Sequence, residues 1–324
     1  MKYTLTKNRL LWLATVICSQ LCYSVVNGQD VTAPYIKSVK LYKPGDQTSF
    51  PMINLNSSDV LELDFDDISN EFKNYYYSLQ LCDADWSPGM LHSFEYINGF
   101  ENTRITTYRN SSIANTRYIY YQAFIPDHNS LPNKAGNYLL KVFLDNDTTK
   151  LVFTRRMVIV DNQANIAAQV LQPFNSALYQ NDQKVQIGIR TGNRIQAYGP
   201  SDIKVAVLQN NNWNTSLFLD RPSIFRGNYY EYSDDEKTSM PAGREFRWVD
   251  LRSLRLMSDR MLRMDNRGDT TQVFMKPDPP RVGMPYVYYK DLNGSFTIES
   301  INNLILYSEN QVAQGASSSI YLCQ

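Results

Sequence analysis

Apolar and polar residues alternate along much of this chain. In residues 60–66, Leu61, Leu63 and Phe65 fall on one face and acids on the other. Tyr138, Leu140, Val142 and Leu144 share a face in the same way, as do Val185, Ile187 and Ile189, and then Ile203, Val205 and Val207. A period of two predicts half-buried strands, because successive side chains leave opposite faces of a pleated backbone. Turn sequences stand between these runs: Lys43-Pro44-Gly45-Asp46, Ser87-Pro88-Gly89, Ala135-Gly136-Asn137 and Tyr198-Gly199-Pro200. Asn293-Gly294, lying between residues 286–289 and 296–298, has the composition of a hairpin turn. No apolar stripe of helical period stands out past the N-terminus. Strands at this spacing predict an all-β protein of two consecutive β-sandwich domains, immunoglobulin-like or related.

A break falls at Val160-Asp161-Asn162-Gln163-Ala164-Asn165, between two sets of strand patterns. It sets the expected domains at residues 30–160 and 166–300. Residues 301–324, with the run Gly315-Ala316-Ser317-Ser318-Ser319, lack the turn and strand rhythm and are expected to form a poorly ordered tail. Twenty-three tyrosines and a charged fraction of 20% suit sheets with one wet face.

The first 28 residues read as a secretory signal. Lys2, Lys7 and Arg9 supply its positive start, residues 10–17 its apolar run, and Val26-Asn27-Gly28 its small residues before cleavage. Ser19 and Gln20 interrupt the run well short of the roughly 20 apolar residues a membrane span needs. The whole chain balances 32 basic and 32 acidic residues; losing Lys2, Lys7 and Arg9 but no acid leaves 29 against 32, a net charge of −3. That balance gives no general attraction to nucleic acid or anionic lipid. Cys18 and Cys22 leave with the signal, so Cys82 and Cys323 remain, either as two free thiols or as one bridge.

One stretch carries chemistry on its face: Cys82-Asp83-Ala84-Asp85-Trp86. It suits a nucleophile with acids beside it, and equally a strand that ends in a tight acidic turn with an aromatic anchor. The first reading needs a base, and the chain holds two histidines, His92 and His128. Asp83 and Asp85 could share a calcium ion, but the glycine and distal glutamate of a helix-loop-helix calcium loop are missing. No Cys-x-x-Cys, paired histidine or glycine-rich phosphate loop accompanies them. The box is therefore read as architecture: Cys82 at the inward end of a strand, the aspartates forming its turn, and Trp86 pinning that turn to the core. No catalytic residue, metal or cofactor is assigned. A second cluster runs through Arg244, Arg247, Arg252, Arg255, Arg260, Arg263 and Arg267, interleaved with Phe246, Trp248 and Leu251. Arginine among aromatics is the composition of interface cores; its alternative is a set of solvated strand faces. Arg247, Trp248, Arg252 and Arg255 are the candidate partner contacts.

The residues then resemble a known family. The box at Cys82, Asp83, Asp85 and Trp86, followed by Glu95-Tyr96 and Gly99-Phe100, is similar to the signature of the type IX secretion system plug proteins of Bacteroidetes. So are Gly136-Asn137-Tyr138, the segment Glu245-Phe246-Arg247-Trp248-x-Asp250-x-Arg252-Ser253-Leu254-Arg255, and Asp291-Leu292-Asn293-Gly294. The resemblance covers roughly residues 30–300 and fades beyond, where a truncated or frameshifted chain is expected. It implies periplasmic β-sandwich domains, associated with the outer membrane, that close the inner mouth of a very large translocon barrel without catalysis. A secreted glycan-binding sandwich using Tyr and Trp platforms is the alternative, and a hydrolase with an unrecognised carboxylate pair a third.

Overall fold

The computed structural model describes residues 32–111, 116–242, 246, 248–252, 257–267, 270–278, 292 and 294–298. The signal segment, residues 301–324, Arg247, Arg255 and Asn293 lie outside the described residues. Among the described residues the regular structure is almost all strand, with two single-turn helices at Ser93–Tyr96 and Asp235–Thr238. None of the described helices is long and apolar enough to cross a membrane.

The N-terminal domain is a two-sheet sandwich. One sheet runs in the order β1 (Ile36–Tyr42), β3 (Leu61–Asp67), β8 (Ile119–Ile125) and β7 (Thr107–Asn110), all antiparallel. The other runs β2 (Met52–Asn54), β11 (Leu151–Val160), β10 (Gly136–Leu144), β4 (Tyr75–Cys82) and β6 (Asn102–Arg104), with β2 parallel to β11. A short ribbon pairs β5 (Ile97–Gly99) with β9 (Ser130–Pro132).

Alternation places the core. Leu61, Leu63 and Phe65 of β3 meet Tyr75, Tyr77 and Leu79 of β4, Tyr138, Leu140 and Val142 of β10, and Phe153, Met157 and Ile159 of β11. Phe65 sits at the centre, its ring 5.1 Å from Tyr75, 5.1 Å from Tyr121 and 5.0 Å from Phe153. The buried tyrosines still find partners for their hydroxyls: Tyr75 donates to Asp67 at 2.7 Å, and Tyr138 to the Lys134 carbonyl at 2.9 Å.

The parity of β1 changes along its length. A bulge between Lys37 and Lys40, with Ser38 at φ 55°, shifts the register against β3. Ile36 faces the core before it; Val39 and Leu41 do so after it, which turns Lys40 and Tyr42 to the outer face. That face carries Glu62, Asp64 and Asp66, and here the expected half-buried strand is corrected. Asp64 and Asp66 are buried as well as Leu61, Leu63 and Phe65. The reason is tertiary: Lys40, Tyr42, Tyr118, Tyr120 and residues 295–298 cover the face that alternation alone leaves to water.

β11 ends at Val160, and the next strand, β12 (Ala164–Leu171), opens the second domain. Its main sheet runs β12, β13 (Asp182–Thr191), β17 (Tyr229–Tyr232) and β16 (Ile224–Arg226), with β18 (Ser239–Pro241) also on β13. The hairpin β14 (Val205–Gln209) and β15 (Asn212–Leu219) lies over it, turned by Asn210 and Asn211 at φ 56° and 57°. Asparagine tolerates the left-handed conformation that a two-residue hairpin turn needs at both positions. Ile187, Ile189, Leu219, Tyr230 and Tyr232 form its core with Ile203, Val205, Val207 and Leu217. A second hairpin, β19 (Met261–Arg267) with β20 (Thr270–Met275), follows.

Phe65→Ala should cost about 3–5 kcal/mol in urea unfolding, because its ring fills the junction of both sheets and leaves a cavity. A loss below 1 kcal/mol would show that the neighbouring rings collapse into the gap.

Candidate functional site

β4 hydrogen-bonds through its last residue, where Asn137 stands opposite Cys82. The chain then turns at once. Asp83 N–H donates to the Ser87 carbonyl at 2.9 Å, and Trp86 N–H to the Asp83 carbonyl at 3.0 Å. Asp85 Oδ1 accepts from Ser87 N–H at 3.0 Å and from Ser87 Oγ at 2.5 Å, which holds its exposed carboxyl below the usual range. Trp86 occupies the left-handed region at φ 67°, a costly place for a large residue. The turn throws its indole back over the outer face of the β10–β4 pair.

The destination differs from the sequence expectation. Tyr75, Tyr77 and Leu79 point into the sandwich, so Cys82, of opposite parity, points out of it. Cys82, Trp86 and Leu139 form a separate buried cluster with Val158 and, from the second domain, Trp213. Trp86 is 2% exposed and meets Trp213 edge to face, with centroids 4.8 Å apart at 76°. The Arg156 guanidinium lies 4.9 Å from the Trp86 ring and 5.4 Å from that of Trp213. Trp86 thus pins the turn to the second domain and not to the sandwich core. Sequence reasoning missed Trp213; its signal is a lone tryptophan among asparagines 210, 211, 212 and 214 at the polar end of the hairpin.

As a nucleophile Cys82 is poorly placed. Burial pushes its thiol pKa up, whereas reactive cysteines need it lowered. Its Sγ contacts the Gln80 carbonyl at 3.6 Å, and the His92 ring stacks on Phe94 at 5.6 Å. No group of three or more His, Cys, Asp or Glu side chains among the described residues is arranged to hold a metal ion.

The second half of the signature builds a surface ribbon. Glu95 Oε2 accepts from His92 N–H at 2.7 Å and closes the single helical turn. Tyr96 is buried, with its ring 6.0 Å from that of Tyr138. Gly99 has φ 107°, and a Cβ there would lie 2.0 Å from the Asn129 carbonyl oxygen, so no other residue fits. Phe100 N–H donates to that same carbonyl at 2.7 Å. Pairing puts Ile97 and Ser130 on the buried side of the ribbon and leaves Asn98, Leu131 and Phe100 outside. Beside them Met90 is 97%, Phe94 76% and Phe100 68% exposed. All three fall within residues 90–100, and exposed large apolar side chains are candidates for contact.

Of the arginine segment, Arg252 pairs with Asp250, Nη2 to Oδ2 at 2.7 Å and Nε to Oδ1 at 3.0 Å. Trp248 is half exposed; Arg260 lies over its ring at 5.1 Å and donates to its carbonyl at 3.0 Å. Arg263 covers Phe274 at 3.9 Å. Among the described residues of the segment, Arg252, Arg260 and Arg263 therefore find partners within the chain.

The covered outer face of the first sheet contains a cavity of about 200 Å³, bordered by Lys40, Tyr42, Glu62, Asp64, Asp66 and Tyr120 among others. Tyr120 donates to Asp64 Oδ1 at 2.5 Å and Tyr42 to Oδ2, while Gln122 donates to Glu62 at 2.6 Å. Burial, with the Asp64 charge beside it, pushes Asp66 up to about 6; burial also pushes Lys40 down to about 8, against the pull of Asp64. The sequence signal was available in the alternation of Glu62, Asp64 and Asp66 opposite Tyr118 and Tyr120, but nothing in it told a covered face from a wet one.

Residues 36–161 match the family described as type 9 secretion system plug protein 1st domain. The N-terminal domain of this chain belongs to that family. The matched segment spans both sheets of the sandwich and the whole Cys82 to Phe100 signature, and the family's description names a protein-secretion system. A crystal structure of a hypothetical protein from Parabacteroides merdae ATCC 43184 is similar, with a TM-score of 0.78 and 26% identity, over 88% of this chain and 70% of that one. A search of curated proteins returns no match.

Two measurements probe this geometry. Trp86→Ala should lower stability by about 3–5 kcal/mol. Trp213→Ala should raise the alkylation rate of Cys82, followed by peptide mass spectrometry, by at least tenfold; unchanged labelling would mean that the second domain does not shield the thiol. A third concerns Asp66. Its carboxyl binds a proton more tightly in the folded than in the unfolded chain, so the native state loses stability as pH rises from about 4 to about 6. Asp66→Asn should therefore match the parent near pH 4 and exceed it by on the order of 2 kcal/mol at pH 7, measured by urea unfolding at both pH values.

Proposed function

We propose that this chain is a plug subunit of the type IX secretion system: an exported, non-enzymatic body in the periplasm that closes the inner mouth of a large outer-membrane translocon barrel. The observation that carries the reading is the family match across the complete first sandwich, residues 36–161. The physics of the domain supports it. Closing a wide pore needs a stiff body, and the two sheets supply one through a core of interlocked aromatic rings. It also needs a surface able to meet a partner without chemistry, for which exposed Met90, Phe94 and Phe100 are suited.

In this reading the ribbon around Phe94 and Phe100 is the leading contact, with Trp248 and Arg252 a second candidate. Affinity purification of the tagged full chain from outer-membrane extracts of its own cells should recover a very large barrel protein. Recovery of cell-envelope polysaccharide in its place would overturn the reading in favour of glycan binding. Phe94→Asp combined with Phe100→Asp should reduce barrel recovery at least tenfold while shifting Tm by less than about 3 °C, since both rings are exposed and bury little on folding. Undiminished recovery would remove the ribbon from the contact surface.

A further inference from the structure

Residues 295–298 lie more than 250 positions along the chain from β1, yet they dock on it. Among the described residues, the hydrogen bonds of this contact engage the backbone of the segment. Gln47, in the turn after β1, reads both polar groups of Ile298: its Nε2 donates to the Ile298 carbonyl at 3.0 Å, and its Oε1 accepts from the Ile298 N–H at 2.8 Å. Two residues earlier Lys40 Nζ donates to the Phe296 carbonyl and stands 4.3 Å from the centre of the Phe296 ring. The entry to the segment is held as well. Gly294 adopts φ 79°, and the Phe246 ring packs so closely that a Cβ there would approach it to 2.8 Å.

We propose that this outer sheet face is a docking groove for an extended peptide segment, and that residues 295–298 occupy it in cis as an exchangeable strap. Three features argue for the function beyond the contact itself. Recognition of alternate backbone groups is the way sheets and grooves accept a strand whatever most of its side chains are. The groove floor is polar, with Lys40 buried among Tyr42, Glu62, Asp64, Asp66 and Tyr120, so the strap hides hydrogen-bonding groups that water or another backbone can satisfy equally well. Such a seat gives little net preference for one occupant, because each hydrogen bond made by the strap replaces one made to water. Beside Ile298 the cavity of about 200 Å³ leaves room that the strap does not fill. The ligand class is an extended strand with an aromatic residue over Lys40 and a residue two positions later that presents both its N–H and its C=O to Gln47.

The inference does not rest on the plug reading, and its test uses the purified full chain. The probe is a fluorescein-labelled synthetic heptapeptide of residues 292–298. Ile298→Pro deletes the N–H that Gln47 reads and should loosen the strap in the parent chain. By fluorescence anisotropy the heptapeptide should bind the Ile298→Pro chain at least tenfold more tightly than wild type, where the strap competes. Adding Gln47→Ala should abolish that binding, since Gln47 supplies two of the backbone contacts. Chymotryptic cleavage after Phe296 should also accelerate at least fivefold in Ile298→Pro. Gln47→Ala alone, a change in a partly exposed turn, gives the same readout should the proline variant fail to fold. Equal peptide binding to wild type and to the Gln47→Ala chain would overturn the proposal, as would no binding to any of them or unaltered cleavage at Phe296 in both variants.

Discussion

The guanidinium of Arg156 stands against two tryptophan rings that belong to different domains, Trp86 at 4.9 Å and Trp213 at 5.4 Å. The rings touch each other edge to face, and beneath them lie Cys82, Leu139 and Val158 on the outer face of the five-stranded sheet. A partly desolvated cation over an indole contributes about 1–2 kcal/mol, and an aromatic pair about 0.5–1.5 kcal/mol beyond its buried area. These are modest terms beside the sandwich core. Their importance is directional: an edge-to-face pair with a cation over it has a narrow range of good geometries, so the contact holds the β14–β15 hairpin in one position on the first domain. Trp86 Nε1, buried with no acceptor among the described residues, and the left-handed backbone at Trp86 are costs accepted at this junction.

The family signature acquires a physical meaning from this arrangement. Its acidic residues work locally, Asp85 by capping the turn through Ser87. The tryptophan works at long range. Gly99 permits the close passage of the Asn129 carbonyl, and that passage sets the ribbon on which Phe100 is displayed. None of these roles needs a nucleophile or a metal, and the buried Cys82 thiol, with its raised pKa, sits in the same apolar joint as the tryptophans. A box that resembles an active site in one dimension is a joint between domains in three.

The outer face of β3 is a different kind of surface. Carboxylates at alternate positions would ordinarily be solvated, and burying them is unfavourable unless each finds donors. Here Tyr42 and Tyr120 serve Asp64, Gln122 serves Glu62, and Lys40 balances part of the charge while being held by the carbonyls of Gln47 and Phe296. The bulge in β1 is what turns Lys40 and Tyr42 toward this side. The result is a covered polar floor under a strap contributed from far along the chain, joining the domains at a second place, away from the tryptophans.

Strand positions were legible in the residues alone wherever one face is apolar, because a pleat alternates its side chains and burial rewards one parity. Leu61, Leu63 and Phe65, the 138–144 run and the 185–189 run all pack as their period implies. Some turns were legible too, as at Lys43–Asp46 and around Gly199-Pro200. Others were not: Gly136 and Asn137 belong to β10, Pro88 bridges back to Cys82 beyond the turn it was expected to make, and residues 296–298 form no strand. Covering was not legible. Whether Asp64 meets water or a tyrosine, whether Cys82 lies in the sandwich or outside it, and which ring Trp86 meets all depend on elements far apart in sequence. Local chemistry determined the strands, their faces and the tight acidic turn at residues 83–87. Only the tertiary structure decided what lies over each face, because contacts such as Trp86 with Trp213 and Gln47 with Ile298 are settled by how sheets pack and leave no periodic trace in the chain.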